Sequence, residues 1–230
     1  MELKIHEFQG AILRTLLFNP KARFRDLNKV DITNDHFTFH LKQLIKEGLV
    51  AKNGIYYSLT DSGKEFANRM DTDSLKLERQ GKLGIAIHAI RIKNNQKEYL
   101  IHKRLKEPFY GFYGSQSGKI RWGEMPIDTA KREFFEETGL KGTFKLKAIV
   151  HYHNFHKDGK LLEDKYFWVF EVINTKGLLK EKIEEGENIW MTEKEYRKLK
   201  NTFATFEEMQ EVLKAKKLLY LDKIKFVDNF

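Results

Sequence analysis

The sequence contains no cysteine, and this absence excludes several kinds of chemistry at once. A chain without thiols has no disulfide bond, no thiolate nucleophile and no cysteine-ligated zinc site. No apolar run approaches the roughly 20 residues that span a bilayer, and the amino-terminal segment MELKIHEFQG lacks the apolar core of a secretion signal. We therefore expect a cytoplasmic protein that does not bind a membrane.

Acidic residues are fewer than basic ones, and the imbalance is local. The 230 residues are enough for two modest domains and carry a formal net charge of +9. Residues 1–75 contribute +1, residues 76–200 contribute +8 and residues 201–230 contribute nothing. Positive charge in the middle of the chain suits an anionic substrate or a polyanion such as RNA, and a solubilising lysine surface accounts for it equally well.

Carboxylates are nevertheless crowded into residues 118–140, which read GKIRWGEMPIDTAKREFFEETGL. Pro126 suits the first turn of a helix, and Gly139 suits its end because glycine adopts positive φ. A hard divalent cation that is shared with substrate phosphates accounts for such crowding. Three glutamates of this helix share an arc of roughly 100°, where like charges repel by a few tenths of a kcal/mol per pair; they are Glu133, Glu136 and Glu137.

The same segment resembles the signature of the Nudix hydrolases, G-x5-E-x7-R-E-U-x-E-E-x-G-U, in which U is an apolar residue. The resemblance implies hydrolysis of a nucleoside diphosphate linked to another moiety, with Mg²⁺ as the cofactor and Mn²⁺ as the alternative ion. Metal ions lower the barrier of such a reaction because they neutralise developing charge and activate a water. Every fixed position of the signature is filled, by Gly118, Glu124, Arg132, Glu133, Phe134, Glu136, Glu137, Gly139 and Leu140.

The resemblance also implies a role for each of these positions. The carboxylates of Glu133, Glu136 and Glu137, with the carbonyl of Gly118, are the implied metal ligands. Glu124 and Arg132 form an ion pair that orients the site. The base that accepts the proton of the attacking water varies in this family, so Glu133 and a glutamate of a later loop are both candidates. That loop offers Glu184, Glu185 and Glu187.

The remainder of the central segment alternates between apolar and polar residues. Residues 82–92, 98–105, 144–155 and 165–173 read as strands, with a further strand at Ile189-Trp190. With the acidic helix they match the Nudix α/β/α sandwich with a mixed sheet, over residues 78–200. Arg104 ends the second strand, where relatives often place a phosphate-contacting arginine, and a surface arginine is an equal alternative. Four aromatic residues precede the signature, and they are predicted either to stack on a base or to pack internally. We favour internal packing. The four are Phe109, Tyr110, Phe112 and Tyr113.

Two further features lie towards the carboxyl end. Residues 201–230 include an amphipathic stretch from Thr202 to Lys217, which predicts a helix that packs on the hydrolase domain or on a second subunit of a homodimer. His151 and His153 share one strand face, with His156 near the following turn. We favour substrate contact or an ordinary surface over a zinc site there.

Residues 1–72 predict a separate domain. Helical periodicity over residues 6–17, 24–30 and 34–47 is followed by GLVAKNGIYYSLT, which alternates like a hairpin around an Asn53-Gly54 turn. A further helix starts at Asp61. This order resembles the winged helix-turn-helix domain of ArsR- and MarR-like regulators. The resemblance implies binding to double-stranded DNA, and the same fold also serves for dimerisation or protein contact.

The third helix of this domain carries the residues that would meet DNA. Phe37, Leu41 and Leu44 are predicted to face the core. Because residues 1–75 are nearly neutral, phosphate neutralisation is weak, and dimerisation stays open beside DNA binding. A metal site at the i, i+4 histidine pair would need a third ligand, so we favour surface histidines. The outward set, available to a major groove or to phosphates, is His36, Thr38, Phe39, His40, Lys42 and Gln43.

Two functions compete at this point. The first is a Mg²⁺-dependent Nudix pyrophosphohydrolase with a DNA-binding or dimerising appendage. The second is a transcription regulator whose Nudix domain senses a nucleotide with little turnover. The complete set of carboxylates favours the first, since a pure binder has no use for a metal-activated water. A third hypothesis joins them, with an enzyme that destroys the ligand controlling its own DNA binding.

Overall fold

The computed structural model describes residues 5–28, 32–75, 77 and 79–227. The chain divides into two compact units, residues 1–79 and residues 80–230. Within the described ranges, no helix combines the length and apolar character needed to cross a membrane.

The first unit is built from short helices and a small sheet. The strands pair antiparallel in the order β1-β3-β2, and the helices enclose a core that includes the fully buried Ile12 and Phe37. The second helix is shorter than predicted, and Val30, its predicted end, lies outside the described residues. The elements are α1 (Glu7–Phe18), β1 (Ala22–Arg23), α2 (Phe24–Leu27), α3 (Asn34–Lys46), β2 (Val50–Asn53), β3 (Tyr56–Leu59) and α4 (Asp61–Asn68).

The turn of the β2–β3 hairpin is displaced by one residue from the predicted Asn53-Gly54. Asn53 pairs with Tyr56, so the two-residue loop consists of Gly54 and Ile55. Gly54 has a φ of 61°, which is the positive value that a glycine supplies at the first position of such a loop. The prediction was wrong because an Asn-Gly pair does not by itself define the register of the strands.

The prediction that His40 belongs to the outward set of α3 was also wrong. His40 lies three residues after Phe37 and four before Leu44, so the helical repeat places it on the buried stripe, where it is 5% exposed. Its ring stacks on that of His6, with centroids 4.5 Å apart. Burial lowers the pKa of His40, and the neighbouring His6 and His36 lower it further. The outward positions that remain exposed or half-buried are His36, Thr38, Phe39, Lys42 and Gln43.

The second unit is organised around a large sheet. In the described part of the chain this sheet has nine strands, with the main path β10-β11-β5-β4-β9-β8-β12. β9 runs parallel to β4 and β12 parallel to β8, while the other pairs are antiparallel. The mixed sheet is therefore confirmed. The elements are β4 (Lys82–Lys93), β5 (Gln96–Arg104), β6 (Tyr113–Gly114), β7 (Gln116–Lys119), α5 (Pro126–Thr138), β8 (Leu140–His156), β9 (Leu161–Gly177), β10 (Lys182–Ile183), β11 (Gly186–Thr192), α6 (Glu193–Tyr196), α7 (Phe206–Lys214) and β12 (Leu219–Val227).

Helices cover both faces of this sheet because successive strand residues point to opposite sides. On β4, Ile85 and Ile87 pack with Phe134 of α5. The intervening Ala86 packs against the cluster that contains Val212 of α7. The buried stripe of α5 thus faces the sheet, and its acidic side is turned away from this core.

The carboxyl-terminal segment differs from the helix predicted over residues 202–217. Helix α7 begins only at Phe206, where Thr205 accepts a capping hydrogen bond from the backbone N–H of Glu208. After the helix, β12 adds an edge strand that pairs with β8 from Leu219 to Val227. The partner strand β8 is distant in sequence. The helical periodicity of the residues before β12 therefore did not predict this strand.

Candidate active site

The acidic helix α5 has the boundaries that the sequence predicts. Pro126 occupies its first turn after the N-cap Met125, and Gly139 ends it with a φ of 72°. The N–H of Gly139 donates to the carbonyl of Phe135 over 2.9 Å. Phe134 is fully buried against the sheet. Two rigid ends and a buried stripe therefore fix the direction in which the glutamates project.

Arg132 is the hub of the acidic cluster. Its Nε and Nη2 donate to the two carboxylate oxygens of Glu124 over 2.6 and 2.8 Å, a bidentate geometry. Its Nη1 donates to Glu133 over 2.7 Å and to Glu136 over 3.2 Å. The hydrogen bonds from Arg132 lower the pKa of Glu124 to about 2, and the same bonds raise the pKa of Arg132. One guanidinium thus holds three carboxylates of the signature.

Glu137 makes no contact with Arg132 among the ion pairs of the hub, and one of its oxygens has no hydrogen-bond partner. Its Oε2 is buried and makes no hydrogen bond. Burial raises the pKa of Glu137 to about 7, and the negative charge of Glu133 adds to this rise. A buried carboxylate oxygen without a partner is costly. A divalent cation bound there would compensate it.

Gly118 lets the strand β7 lie against α5. A Cβ at this position would stand 2.3 Å from both Cγ and Cδ of Glu133, closer than any real contact. Gly118 pairs with Ile85 of β4, so the sheet itself holds the glycine against the glutamate. This approach brings the backbone of Gly118 beside the acidic cluster.

These residues fit a divalent cation, although their oxygens do not already converge. Among the described residues, three potential ligand atoms already lie within 4.8 Å of one another at a different place, in the group of His151, His153 and Asp164. The oxygens of Glu133 and Glu136 are drawn to Arg132 instead. A cation would therefore bind by exchanging these contacts for its own.

Arg104 ends β5 as predicted and lines the same cavity as the acidic residues. Its Nε donates to the carbonyl of Pro108 over 2.6 Å, and its Nη2 to that of Glu107 over 3.1 Å. Burial lowers the pKa of Arg104. The guanidinium supports the turn after β5 as well as facing the cavity, and a clamping role on phosphate remains a prediction.

The three loop glutamates fall into two environments. Glu184 and Glu185 line the cavity, and Glu185 forms an ion pair with Lys106. Glu187 has its Oε2 3.9 Å from Nζ of Lys103 and is absent from the described cavity lining. Glu184 and Glu185 therefore lie at the cavity and Glu187 does not, a difference that the sequence alone does not reveal.

The cavity measures about 1660 Å³, and its lining includes Met209 and Val212 of α7 as well as the glutamates of α5. On one wall, Glu163 is 3% exposed and accepts hydrogen bonds from Asn154 and Lys165. On another, the rings of Phe109, Phe112 and Phe203 cluster with centroids 5.4 Å apart. Tyr110, grouped with two of these in the sequence analysis, is 59% exposed.

Sequence reasoning missed Asn188, which fixes the last turn of α5. Its Nδ2 donates to the carbonyls of Glu137 and Lys180, each over 2.8 Å. Its Oδ1 lies 3.0 Å from Nδ1 of His102. Asn188 belongs to no motif and could be found only from the pairing of β11 with β5, which places it opposite His102.

A family model described as the NUDIX domain matches residues 82–212, more than half of the chain. The chain belongs to the NUDIX family. It is a hydrolase that acts on phosphoric anhydride bonds, and Nudix enzymes generally use divalent metals. The first unit lies outside the matched residues.

Solved structures show the same fold. The MutT mutator protein from Bacillus halodurans is 24% identical, covers 60% of this chain and 86% of its own, and has a TM-score of 0.50. The NUDIX domain of Shewanella oneidensis NrtR, solved in complex with ADP ribose, is 14% identical, covers 68% of this chain and 98% of its own, and has a TM-score of 0.53. At these identities the likeness concerns the fold alone.

Proposed function

We propose that this Nudix protein is a Mg²⁺-dependent pyrophosphohydrolase that cleaves a nucleoside diphosphate linked to another moiety. The observation that carries the proposal is the unpartnered buried oxygen of Glu137 beside the cluster of Arg132, Glu133 and Glu136. A site built only for stability would pair that oxygen or keep it in water. A site that binds a cation leaves that oxygen without a hydrogen bond and available as a ligand.

The residues that would hold the ion are Glu133, Glu136, Glu137 and the carbonyl of Gly118. When bound, Mg²⁺ supplies charge neutralisation for the pyrophosphate and activation of a water. Arg132 holds Glu133 and Glu136 in place from the side through a shared N–H. Glu124 in turn fixes Arg132 by its bidentate contact, so Arg132 keeps both glutamates near the site until an ion takes over their oxygens.

The attacking water must lose a proton to a carboxylate. Glu133 lies among the proposed ligands, and Glu184 and Glu185 line the cavity. A partner of opposite charge stabilises the ionised form of a carboxylate and weakens it as a base. By this criterion the ion pairs with Lys106 and Arg132 argue against both Glu185 and Glu133, unless a bound ion displaces Arg132 from Glu133. Glu133 and Glu184 are therefore the two candidates to test. Glu184→Gln decides between them, since it should lose turnover without losing affinity for Mg²⁺ if Glu184 is the base and should keep turnover if Glu133 is the base.

The size and walls of the cavity support a nucleotide with a second moiety as the substrate class. Pockets for drug-sized ligands measure roughly 300–1,000 Å³, and about 1660 Å³ here leaves room for a two-part molecule. The phenylalanine cluster provides an aromatic wall against which a base or an apolar group can pack. The NrtR domain of similar fold is solved with ADP ribose, so ADP-ribose-like and sugar-linked diphosphates lead our substrate panel.

For the first unit we propose a winged helix-turn-helix domain that binds double-stranded DNA or mediates dimerisation. Three helices, a hairpin and a following helix support it. The exposed positions of α3, including His36, Phe39 and Lys42, would face the partner. Gel-filtration light scattering and titration with labelled duplex DNA distinguish the two roles, with Lys42→Ala expected to weaken only DNA binding.

The deciding experiment measures phosphate or nucleotide release with Mg²⁺ across a nucleoside-diphosphate panel. Glu136→Gln should lose at least about 100-fold in turnover, since it removes a charge from the metal site. Asp128→Asn is the matched control, because Asp128 is an exposed acid of α5 outside the signature. No turnover with any compound, together with tight binding of one of them, would instead support the ligand-sensing regulator.

A further inference from the structure

A second group of metal-ligand side chains lies on the hairpin of β8 and β9. Tyr152 and Asn154 on β8, and Glu163 and Lys165 on β9, line the cavity. The alternating positions point to the opposite face of these strands. That face carries His151, His153, Asp164 and Tyr166, none of which belongs to the described cavity lining.

The strand register brings these side chains together. His153 stands directly opposite Asp164, and His151 directly opposite Tyr166. Nε2 of His151 lies 2.9 Å from Oδ1 of Asp164, and Nε2 of His153 lies 3.6 Å from Oδ2 of the same carboxylate. Bonds of about 2.0–2.1 Å in a tetrahedral zinc site put ligand atoms roughly 3.3 Å apart. The observed separations, one to each oxygen of Asp164, lie on either side of that value, and one ligand atom from each of the three residues lies within 4.8 Å of the others.

A fourth residue orients one of the rings. Nδ1 of His151 lies 3.0 Å from Oδ1 of Asp222, which stands beside His151 on the parallel neighbour β12. A carboxylate on the second ring nitrogen is the arrangement that metal-binding histidines use to fix their tautomer and raise their basicity. With Nδ1 donating to Asp222, Nε2 can give up its proton when an ion binds, and that ion would replace the direct 2.9 Å contact between Nε2 and Asp164.

The rings are also held before any ion binds. His151 stacks on Tyr166 with centroids 3.9 Å apart and planes 8° apart. The side chain of His151 is 13% exposed, while those of His153 and Asp164 are 35% and 37% exposed. The group is therefore ordered on its inner side and open to solvent on its outer side, as a site that loads an ion from solution must be.

We propose that His151, His153 and Asp164 form a zinc site, with Asp222 as a positioning residue. Two imidazoles and one carboxylate give the three protein ligands of an open zinc site, in which water takes the fourth position. Imidazole favours Zn²⁺ over the Mg²⁺ that suits an all-oxygen site. This site is independent of the hydrolytic centre proposed above. It would tie β8, β9 and the edge strand β12 together.

The test titrates the full chain with Co²⁺ and Zn²⁺ in the presence of excess Mg²⁺, which occupies oxygen-rich sites. We expect one tetrahedral Co²⁺ absorption spectrum per chain, displaced by Zn²⁺. His153→Ala and Asp164→Asn should abolish it. Asp222→Asn should keep the spectrum but weaken Zn²⁺ affinity by about 10–100-fold, as expected for loss of an orienting carboxylate.

The matched control is His156→Ala. His156 is a nearby histidine of β8 that is paired with Asp158, and its loss should leave the Co²⁺ spectrum unchanged. Zn²⁺ should raise the melting temperature of the wild type and of His156→Ala but not of His153→Ala. The proposal is overturned if wild type and His153→Ala bind Zn²⁺ equally, or if neither gives a tetrahedral Co²⁺ spectrum, with circular dichroism confirming that each variant is folded.

Discussion

Gly118→Ala is the change that most directly tests the geometry of the hydrolytic site. The added methyl would stand 2.3 Å from Cγ and Cδ of Glu133, whereas ordinary carbon contacts are about 3.5–4.0 Å. The glutamate must therefore withdraw by about 1 Å or more. Gly118 has no positive φ, so alanine introduces no backbone strain, and the whole effect falls on the position of Glu133.

A misplacement of about 1 Å near a reacting centre costs roughly 100-fold in rate, or about 2.7 kcal/mol in transition-state stabilisation. We expect Gly118→Ala to lose about that much in kcat/KM and to require more Mg²⁺ for half-maximal rate. The assay is steady-state hydrolysis across a Mg²⁺ titration, with unfolding followed by tryptophan fluorescence. All three tryptophans lie in the second unit, so the signal reports on that unit.

Gly159→Ala is the matched control because it should change stability and leave the rate unchanged, which is the opposite of what we expect for Gly118→Ala. Gly159 has a φ of 88° in the β8–β9 turn, and a Cβ there would meet nothing within 4 Å. Alanine in the left-handed region costs roughly 1–2 kcal/mol, so this variant should lose stability and keep its rate. Wild-type turnover and Mg²⁺ dependence in Gly118→Ala would refute the argument that the glycine exists to admit Glu133.

Three other predictions concern the stability of the two units. Burial lowers the pKa of His88 to about 4 from 6.5, so only the unfolded chain binds this proton between those pH values. The free energy of unfolding should therefore fall by up to about 3 kcal/mol between pH 6.5 and 4, and His88→Gln should remove that part of the dependence in denaturant titrations. Asn188→Ala should cost about 1–3 kcal/mol, because it leaves the part-buried carbonyl of Glu137 without its donor, and should lower kcat by loosening the end of α5. Gly63→Ala would place a Cβ 1.9 Å from the carbonyl oxygen of Leu49. It should unfold the first unit by circular dichroism while hydrolysis persists, and loss of both would contradict the division at residue 79.

The acidic helix was predictable because its signals are local. Pro126 and Gly139 define its ends through their own backbone preferences, and the structure has them at those ends. The spacing of the glutamates is a property of the helix alone. The Arg132 hub was only partly predictable, since the sequence suggested one oriented glutamate and the structure has three. Rotamers decide that difference, and they depend on packing.

Three other features that the sequence could not supply depend on strand register. Asn188 reaches the end of α5 only because β11 pairs with β5. The edge strand β12 escaped prediction because both of its faces mix apolar and charged residues, so LYLDKIKFV lacks the clean alternation of a half-buried strand. His151 and His153 were recognisable as neighbours on a strand. Their carboxylate partners come from β9 and β12, which no local pattern could assign.

The charges that line the cavity bear on whether the positive charge in the middle of the chain attracts the substrate. As many basic as acidic side chains line it, so its walls alone have little net attraction for an anion. A divalent ion on the glutamates would tip that balance, and the pyrophosphate would then be drawn in together with the metal. On this reasoning, substrate affinity should depend on Mg²⁺ even in Glu184→Gln, whereas a surface that binds polyanions through lysines alone would bind equally well in a chelator.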